Sequence, residues 1–388
     1  MKRIAVFSML SLFLFVSLTA FQCSSTEMTS ARLYIKQKNY DKAMEALKKE
    51  ISKNPKSDEG YYFLGYLHGE KGEYKEMLEN FDKSLGVSKR FAKEISDAKK
   101  SYWGSSFNKG VAFFNKAAKA QSKDSINANF DKAISSFRNA VMIEPDSADT
   151  YKNLAFALLQ AGRPDEAEKP LTDLIKLKKS LDAYKLLGEI YSNKGAKLNA
   201  KYAESKDKQD SLAATEEFNK SIALLEDARK NYPDDQEVLL LLSNAYIAGN
   251  KADVAIETFK AGVEKDPNNQ YYRFNYGTLL LQANKFEEAV AQLTKATEID
   301  PKYHNAFFNL GVAYVKWGTD LRVKADEAGV DNPEYKNKYT QALPFLQKAS
   351  ELKSEDPAIW ETLAKVYAVL GMQKESQEAF GKADQFRK

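Results

Sequence analysis

The sequence is poor in residues that end regular structure and in residues that bind metals. It holds one Cys and two His among 388 residues, so neither an internal disulfide nor a Cys/His zinc cluster is possible. Its 18 Gly and 10 Pro fall below the roughly 27 and 19 of average usage. These shortages argue against a β protein with many Gly and Pro turns. Disorder is also disfavoured, because 43% hydrophobic and 12% aromatic residues are enough to build a core.

Charge of one sign is also lacking. The chain has 58 basic and 54 acidic residues, a formal net charge of +4, and both signs are mixed along its length. Nucleic acid binding needs a basic surface that neutralises phosphates, so we predict no nucleic acid partner. Ala, Lys, Leu and Glu are abundant instead, and these residues favour helices.

The first residues resemble a bacterial lipoprotein signal. Lys2 and Arg3 precede an apolar run over residues 4–21, and Cys23 follows that run. The resemblance implies a signal peptide over residues 1–22, cleavage before Cys23 and acylation of the Cys23 thiol. Ser24 differs from the Asp that retains enterobacterial lipoproteins at the inner membrane, which favours the outer membrane. Cleavage near Ala20, giving a soluble periplasmic protein, and an uncleaved anchor remain as alternatives.

A repeat with a period of 34 residues runs through the sequence. Pro233, Pro267 and Pro301 are separated by 34 residues each. The same spacing relates Tyr246 to Leu280 and Tyr314, Ala255 to Ala289, and Gly277 to Gly311. Small residues mark the places where two helices pack closely, and Pro ends a helix at the residue before it. Within each period, one motif runs aromatic, Leu, Gly, Tyr, as at Tyr184, Leu187, Gly188 and Tyr191, and a second pairs Ala with Phe, as at Ala255 and Phe259.

This pattern resembles the tetratricopeptide repeat (TPR), a pair of antiparallel helices. The resemblance implies an all-α protein, an α–α superhelical solenoid of about nine helix pairs over residues 23–388. We expect the pairs to begin near residues 24, 58, 103, 148, 181, 236, 270, 304 and 357. The third, fifth and eighth pairs are longer than the motif, with extra segments that include residues 199–216 and 319–338. These segments either project from one functional edge of the solenoid or only lengthen the helix hairpins.

No catalytic motif is present in the sequence. It has no Gly-rich phosphate loop and no HExxH, and His68 and His304 lie far apart. We therefore predict a protein that is not an enzyme and that needs no metal or cofactor.

Partner binding is expected on the inner face of the repeats. In TPR proteins, peptides contact the second, fifth, ninth, twelfth and thirteenth positions of the first helices, and one version clamps a carboxylate with Lys and Asn. That clamp is unmatched here, since Lys185 is followed by Glu189 and Asn244 is preceded by Leu240. The groove positions of the sixth to eighth pairs are Leu240, Asn244, Ile247, Tyr271, Phe274, Thr278, Leu281, Phe308, Val312 and Val315. These largely apolar residues either form an interaction surface or pack against neighbouring helices.

The sequence thus predicts a non-enzymatic interaction scaffold of the bacterial cell envelope. Its partners would be other envelope proteins and, through the lipid on Cys23, the membrane. An accessory role in outer-membrane assembly, secretion or a pilus system is a narrower alternative. Self-association into a structural assembly and a regulatory subunit of an enzyme are further alternatives.

Overall fold

A computed structural model of the chain describes residues 25–330 and 332–387. These residues form eighteen α-helices and no strand. The first ten are α1 (Thr26–Lys36), α2 (Tyr40–Lys53), α3 (Asp58–Glu70), α4 (Tyr74–Val87), α5 (Ala92–Lys119), α6 (Lys123–Ile143), α7 (Ala148–Gln160), α8 (Pro164–Lys178), α9 (Leu181–Ser205) and α10 (Lys208–Asn231). The others are α11 (Gln236–Ala248), α12 (Ala252–Lys265), α13 (Gln270–Gln282), α14 (Phe286–Ile299), α15 (His304–Ala328), α16 (Glu334–Leu352), α17 (Pro357–Val369) and α18 (Gln373–Phe386).

The helices follow one another along the chain as nine consecutive pairs, and the predicted all-α class is confirmed. The chain divides into two compact units, one extending to Pro170 and one starting at Leu171, within α8. In the second unit, α9 packs on α10, α13 on α14, α15 on α16 and α17 on α18. The first helices of successive pairs also touch, since α9 contacts α11, α11 contacts α13, and α13 contacts α15. These first helices form a row, and the row positions the candidate site.

Small residues allow the two helices of a pair to approach closely. A Cβ atom at Gly311 would lie 2.5 Å from the side chain of Leu346, and one at Gly277 would lie 2.7 Å from Leu293. Ala289 is fully buried at the equivalent crossing on α14. Side chains of this size are required because any larger group would overlap the partner helix.

The three long pairs are extended hairpins. Helices α9 and α10 have 25 and 24 residues, and only Lys206 and Asp207 separate them. Helices α15 and α16 have 25 and 19 residues. The segments 199–216 and 319–338 therefore mostly continue the helices, which confirms the predicted elongation. Helix α5 has 28 residues and includes residues 92–101, which match no repeat motif.

Most first helices are directly preceded by a capping residue, whose side chain accepts a hydrogen bond from a backbone amide of the first turn. These residues are Ser25, Ser57, Ser147, Ser180, Asp235, Asn269 and Asp356. Such a cap satisfies one of the free amide groups at the helix start. Two first helices, α5 and α15, instead follow Phe91 and Tyr303, whose side chains make no such bond.

The predicted signal sequence and Cys23 lie outside the described residues. Among the residues that are described, no helix is both long enough and apolar enough to cross a membrane. The prediction of one continuous solenoid over residues 23–388 stays a prediction.

Candidate functional site

The ten predicted groove residues lie on α11, α13 and α15, in the row of first helices of the second unit. They differ widely in exposure. Phe274 and Leu281 are buried, with exposed fractions of 7% and 4%, whereas 41% of Leu240 is exposed. Asn244 is also exposed. The remaining six residues, Ile247, Tyr271, Thr278, Phe308, Val312 and Val315, are half-buried.

The apolar groove residues belong to two separate hydrophobic clusters. Phe274 and Leu281 are members of a core that extends from the fifth to the eighth pair, against which Ile247, Tyr271 and Val312 pack. A second cluster, which includes Ile359 and Leu363 of α17, holds Phe308 and Val315. Packing against neighbouring helices therefore accounts for part of the predicted surface, and the exposed apolar part centres on Leu240.

The amide and hydroxyl groups around Thr278 are bound within the chain. The Thr278 hydroxyl donates to the carbonyl oxygen of Phe274 at 2.9 Å. It accepts a hydrogen bond from the Asn309 side-chain amide at 3.1 Å. This bond ties α13 to α15, so Thr278 serves to join two first helices.

Tyr303 is a groove residue that sequence reasoning missed. It directly precedes α15, and only 7% of it is exposed. Its ring lies 5.0 Å from the ring of Phe274 and 5.7 Å from that of Tyr271. Its hydroxyl accepts a hydrogen bond from the side-chain amide of Gln236 at 3.1 Å, and burial raises the pKa of Tyr303. The Tyr303 ring therefore covers Phe274 and reaches α11 at the start of the sixth pair.

The repeat spacing contained the signal for this residue. Asp235, Asn269 and Tyr303 are separated by 34 residues each, and all three directly precede a first helix. Asp235 and Asn269 cap their helices, whereas Tyr cannot accept from the first turn in this way. Because Tyr303 does not cap α15, its ring has a different role, which is to pack against Phe274.

A recurring contact joins the fifth position of one first helix to the residue that precedes the next. Phe274 meets Tyr303 in this way, and Tyr62 of α3 stacks on Phe91 with ring centroids 4.5 Å apart. In the fifth pair the same contact is ionic, and it joins Lys185 to Asp235 at 3.0 Å. The contact sets how much of each fifth-position side chain remains available to a partner.

The groove surface of the fifth pair is charged and slightly acidic. The Lys185 ammonium lies 2.7 Å from the Glu237 carboxylate and 3.0 Å from that of Asp235. Burial acts to lower the pKa of Lys185, but the hydrogen bonds that its ammonium donates to the two carboxylates raise this pKa overall. Burial and then the negative charge of Glu237 raise the pKa of Glu189. Lys185 is thus neutralised by its own chain, which agrees with the absence of a carboxylate clamp.

The two histidines lie in different compact units and have different surroundings. His68 contacts the Glu73 carboxylate through Nδ1 at 2.6 Å, while His304 is half-buried and burial, followed by the charge of Lys353, lowers its pKa. Within residues 25–330 and 332–387, no three His, Cys, Asp or Glu side chains come together in a group that could hold a metal ion.

This arrangement of repeated antiparallel helix pairs, with a row of first helices that carries the exposed groove side chains, defines an α-helical repeat protein. Family models agree with the 34-residue motif. Models described as TPR or tetratricopeptide repeat match residues 28–57, 58–91, 127–190, 212–274 and 277–318, together more than half of the chain. The chain belongs to the tetratricopeptide-repeat family.

Similar proteins share the repeat rather than the whole chain. A peroxisomal targeting signal receptor of Saccharomyces cerevisiae is 26% identical over 213 residues, 49% of this chain and 35% of that protein. A BBSome complex member BBS4 homolog of Drosophila melanogaster is 18% identical over 319 residues, 73% of this chain and 59% of that protein. The crystal structure of MamA is 20% identical, with a TM-score of 0.34, and covers 47% of this chain and 95% of that structure. The matched region spans about one third to three fifths of the two curated relatives.

Proposed function

We propose that this protein is a non-enzymatic scaffold that binds a segment of another protein on the row of first helices, at pairs five to seven. The observation that carries this proposal is Leu240, a large apolar side chain that is 41% exposed in the middle of that row. Ile247 lies two turns along the same helix face, and Tyr271 lies on the neighbouring helix. Large apolar side chains in one patch mark interaction sites more often than isolated ones do.

The charges beside Leu240 restrict the chemistry of the partner. Helix α9 contacts α11, and Lys185 and Glu189 of α9 lie with Glu237 of α11 and its cap Asp235. These four residues leave an excess of negative charge. Glu189 is held unfavourably in its ionised form by burial and by Glu237. A partner with an apolar anchor next to a Lys or Arg would cover Leu240 and relieve that repulsion. We therefore propose an amphipathic helix or extended peptide with a basic flank.

Replacing Phe274 and Phe308 together by Ser would not test this proposal cleanly. Phe274 is a core residue covered by Tyr303, so its replacement would lower stability before any effect on binding could be read. A photo-crosslinking amino acid at position 240 tests the surface with less disturbance. Position 212 on α10 is the matched control, because Leu212 is 71% exposed but lies outside the row of first helices. We expect a protein adduct in intact cells from position 240 and none from position 212.

We further propose that the protein acts in the bacterial cell envelope, anchored by a lipid on Cys23 and facing the periplasm from the outer membrane. Lys2, Arg3, the apolar run over residues 4–21 and Cys23 support this location. Incorporation of labelled fatty acid into the wild type and its loss in Cys23→Ala test it. A wild-type protein that takes up no label would instead favour the soluble periplasmic or uncleaved form.

Three alternatives are separated by simple measurements. A self-associating structural protein would increase in size with concentration, whereas a scaffold for other proteins would stay monomeric. An accessory lipoprotein of an outer-membrane assembly, secretion or pilus system, or a regulatory subunit of an enzyme, would be identified by the adduct from position 240.

A further inference from the structure

The first helix pair carries a concentrated positive charge. Residues 25–57 hold eight basic and four acidic side chains, a net charge of +4 that equals that of the entire chain. All eight basic side chains are exposed: Arg32, Lys36, Lys38, Lys42, Lys48, Lys49, Lys53 and Lys56. One of the four acids, Glu50, is buried and accepts a hydrogen bond from Ser25, so it contributes little to the outer surface.

Three of the lysines form a stripe along α2. Lys42, Lys49 and Lys53 are seven and four residues apart, which places them on one face of a helix with 3.6 residues per turn. This face borders an open cavity of about 360 Å³ between α1 and α2, to which Lys42 and Lys49 contribute. Lys53 pairs with Glu27 at the rim, and the charge of Lys49 acts on the same carboxylate. Glu45 also lines the cavity, so the three lysines exceed the two carboxylates of this face by one positive charge.

The start of α1 fixes the Lys53 end of the stripe close to residue 23, since Lys53 pairs with Glu27 in the first turn of α1. The Ser25 hydroxyl accepts from the Met28 amide at 3.0 Å and so caps the helix. Two residues of chain span at most roughly 7 Å, so Ser25 stays within that distance of Cys23. A lipid on Cys23, or an anchor formed by residues 4–21, would therefore bring α1 and α2 to the headgroup region of a membrane.

We propose that the Lys42–Lys49–Lys53 stripe binds the anionic headgroups of the membrane in which the chain is anchored. This inference rests on the proposed envelope anchorage. Charge complementarity and the short distance to Cys23 select a phospholipid surface as the occupant. A lipid chain and a basic patch together hold a protein more firmly than either alone, and electrostatic attraction extends only about 10 Å from the surface.

Amine labelling of the membrane-bound full chain tests this proposal. A surface potential of roughly −30 to −50 mV raises the pKa of a nearby amine by roughly 0.5 to 0.8 at about 59 mV per unit. Since an acetylating reagent attacks only the neutral amine, the three lysines should react about threefold to sevenfold more slowly. The full chain is placed in vesicles of phosphatidylcholine, with or without phosphatidylglycerol, and labelling is read by mass spectrometry. Lys365 and Lys374, exposed residues of α17 and α18, are the internal controls.

The expected result is slower labelling of the stripe in phosphatidylglycerol vesicles, reversal by high salt, and no change at Lys365 and Lys374. In the double variant Lys42→Gln/Lys49→Gln, a lower salt concentration should be enough to restore the faster labelling of Lys53. The double variant Lys365→Gln/Lys374→Gln should not change that salt concentration. Equal labelling of the stripe in both kinds of vesicle, with acylated Cys23 found in the same digest, would overturn the proposal. An unacylated Cys23 together with slowed stripe labelling would refute the lipid but support the basic surface.

Discussion

The Tyr303 ring offers the sharpest test of how the groove is built. In Tyr303→Asn, α15 is preceded by the same residue type that precedes and caps α13, so the change removes a ring and restores a cap. Asn269 shows what the new residue can do, since its side-chain oxygen accepts from the amides of Tyr271 and Tyr272 at 3.0 and 3.2 Å. The two effects oppose each other, and their magnitudes decide the outcome.

Burial outweighs the cap in this comparison. A buried Tyr removes roughly 150 to 250 Å² from water, which contributes about 4 to 6 kcal/mol. Residual burial in the unfolded chain lowers this contribution by roughly 10 to 40%. The restored cap returns about 1 kcal/mol. We therefore expect Tyr303→Asn to destabilise the second unit by about 2 to 4 kcal/mol, and Tyr303→Phe, which loses only the bond from Gln236, by about 1 kcal/mol.

Hydrogen exchange read by mass spectrometry measures this change locally. Amides of α13 and α15 should exchange roughly 30-fold to 1,000-fold faster in Tyr303→Asn and about fivefold faster in Tyr303→Phe. Peptides from α1 and α2, in the other compact unit, are the internal control. Equal exchange in wild type and Tyr303→Asn would refute the assignment of Tyr303 to the core of the groove.

Three further predictions concern packing, charge and capping. Gly311→Ala should lower stability by about 1 to 3 kcal/mol, because the new carbon would overlap the Leu346 side chain. Gly381→Ala should raise stability by about 1 kcal/mol, because Ala favours the helix α18 and the new carbon would lie in open space. Thermal unfolding of the two variants gives the comparison. The pKa of Glu189 is raised in the folded chain, so the ionised form of Glu189 opposes folding. Glu189→Gln should therefore increase the free energy of unfolding at neutral pH. This increase should disappear as the pH falls below about 4.5, where Glu189 is protonated in both states. Urea midpoints across that range test the sign, and a benefit that grows in acid would contradict it. Asp235→Ala removes both the α11 cap, which accepts from the Val238 amide at 2.9 Å, and the ion pair with Lys185, whereas Asp235→Ser keeps a cap and removes only the ion pair. Urea unfolding should show Asp235→Ala to be about 1 kcal/mol less stable than Asp235→Ser; equal midpoints would mean that the cap is dispensable.

The repeating parts of the fold could be predicted from the sequence because they obey local rules. Gly311 and Gly277 stand where two helices must approach closely, and Pro267 and Pro301 stand where a helix must end. Each rule acts within one repeat, so one sequence period shows it. The elongated hairpins followed from the same counting.

The groove was predicted less well because its exposure depends on contacts between repeats. Phe274 and Leu240 occupy the same repeat position, but Tyr303 covers Phe274, while Leu240 stays 41% exposed. Lys185 occupies that position in the fifth pair and is engaged by Asp235 from the next. A reading of fifth positions alone cannot separate these cases. Comparing each fifth position with the residue before the next first helix would have separated them.

The most direct test of the central claim is partner capture through position 240. With a photo-crosslinking residue there, we expect an adduct with an envelope protein in intact cells, and its loss when Asn244→Lys places a positive charge one turn along the same helix face, where it would repel the basic flank of the partner. Because Asn244 is exposed, Asn244→Lys should leave hydrogen exchange of the neighbouring helices close to that of the unsubstituted chain. An adduct that persists unchanged in Asn244→Lys, or one that forms equally from position 212, would contradict binding on this row of helices.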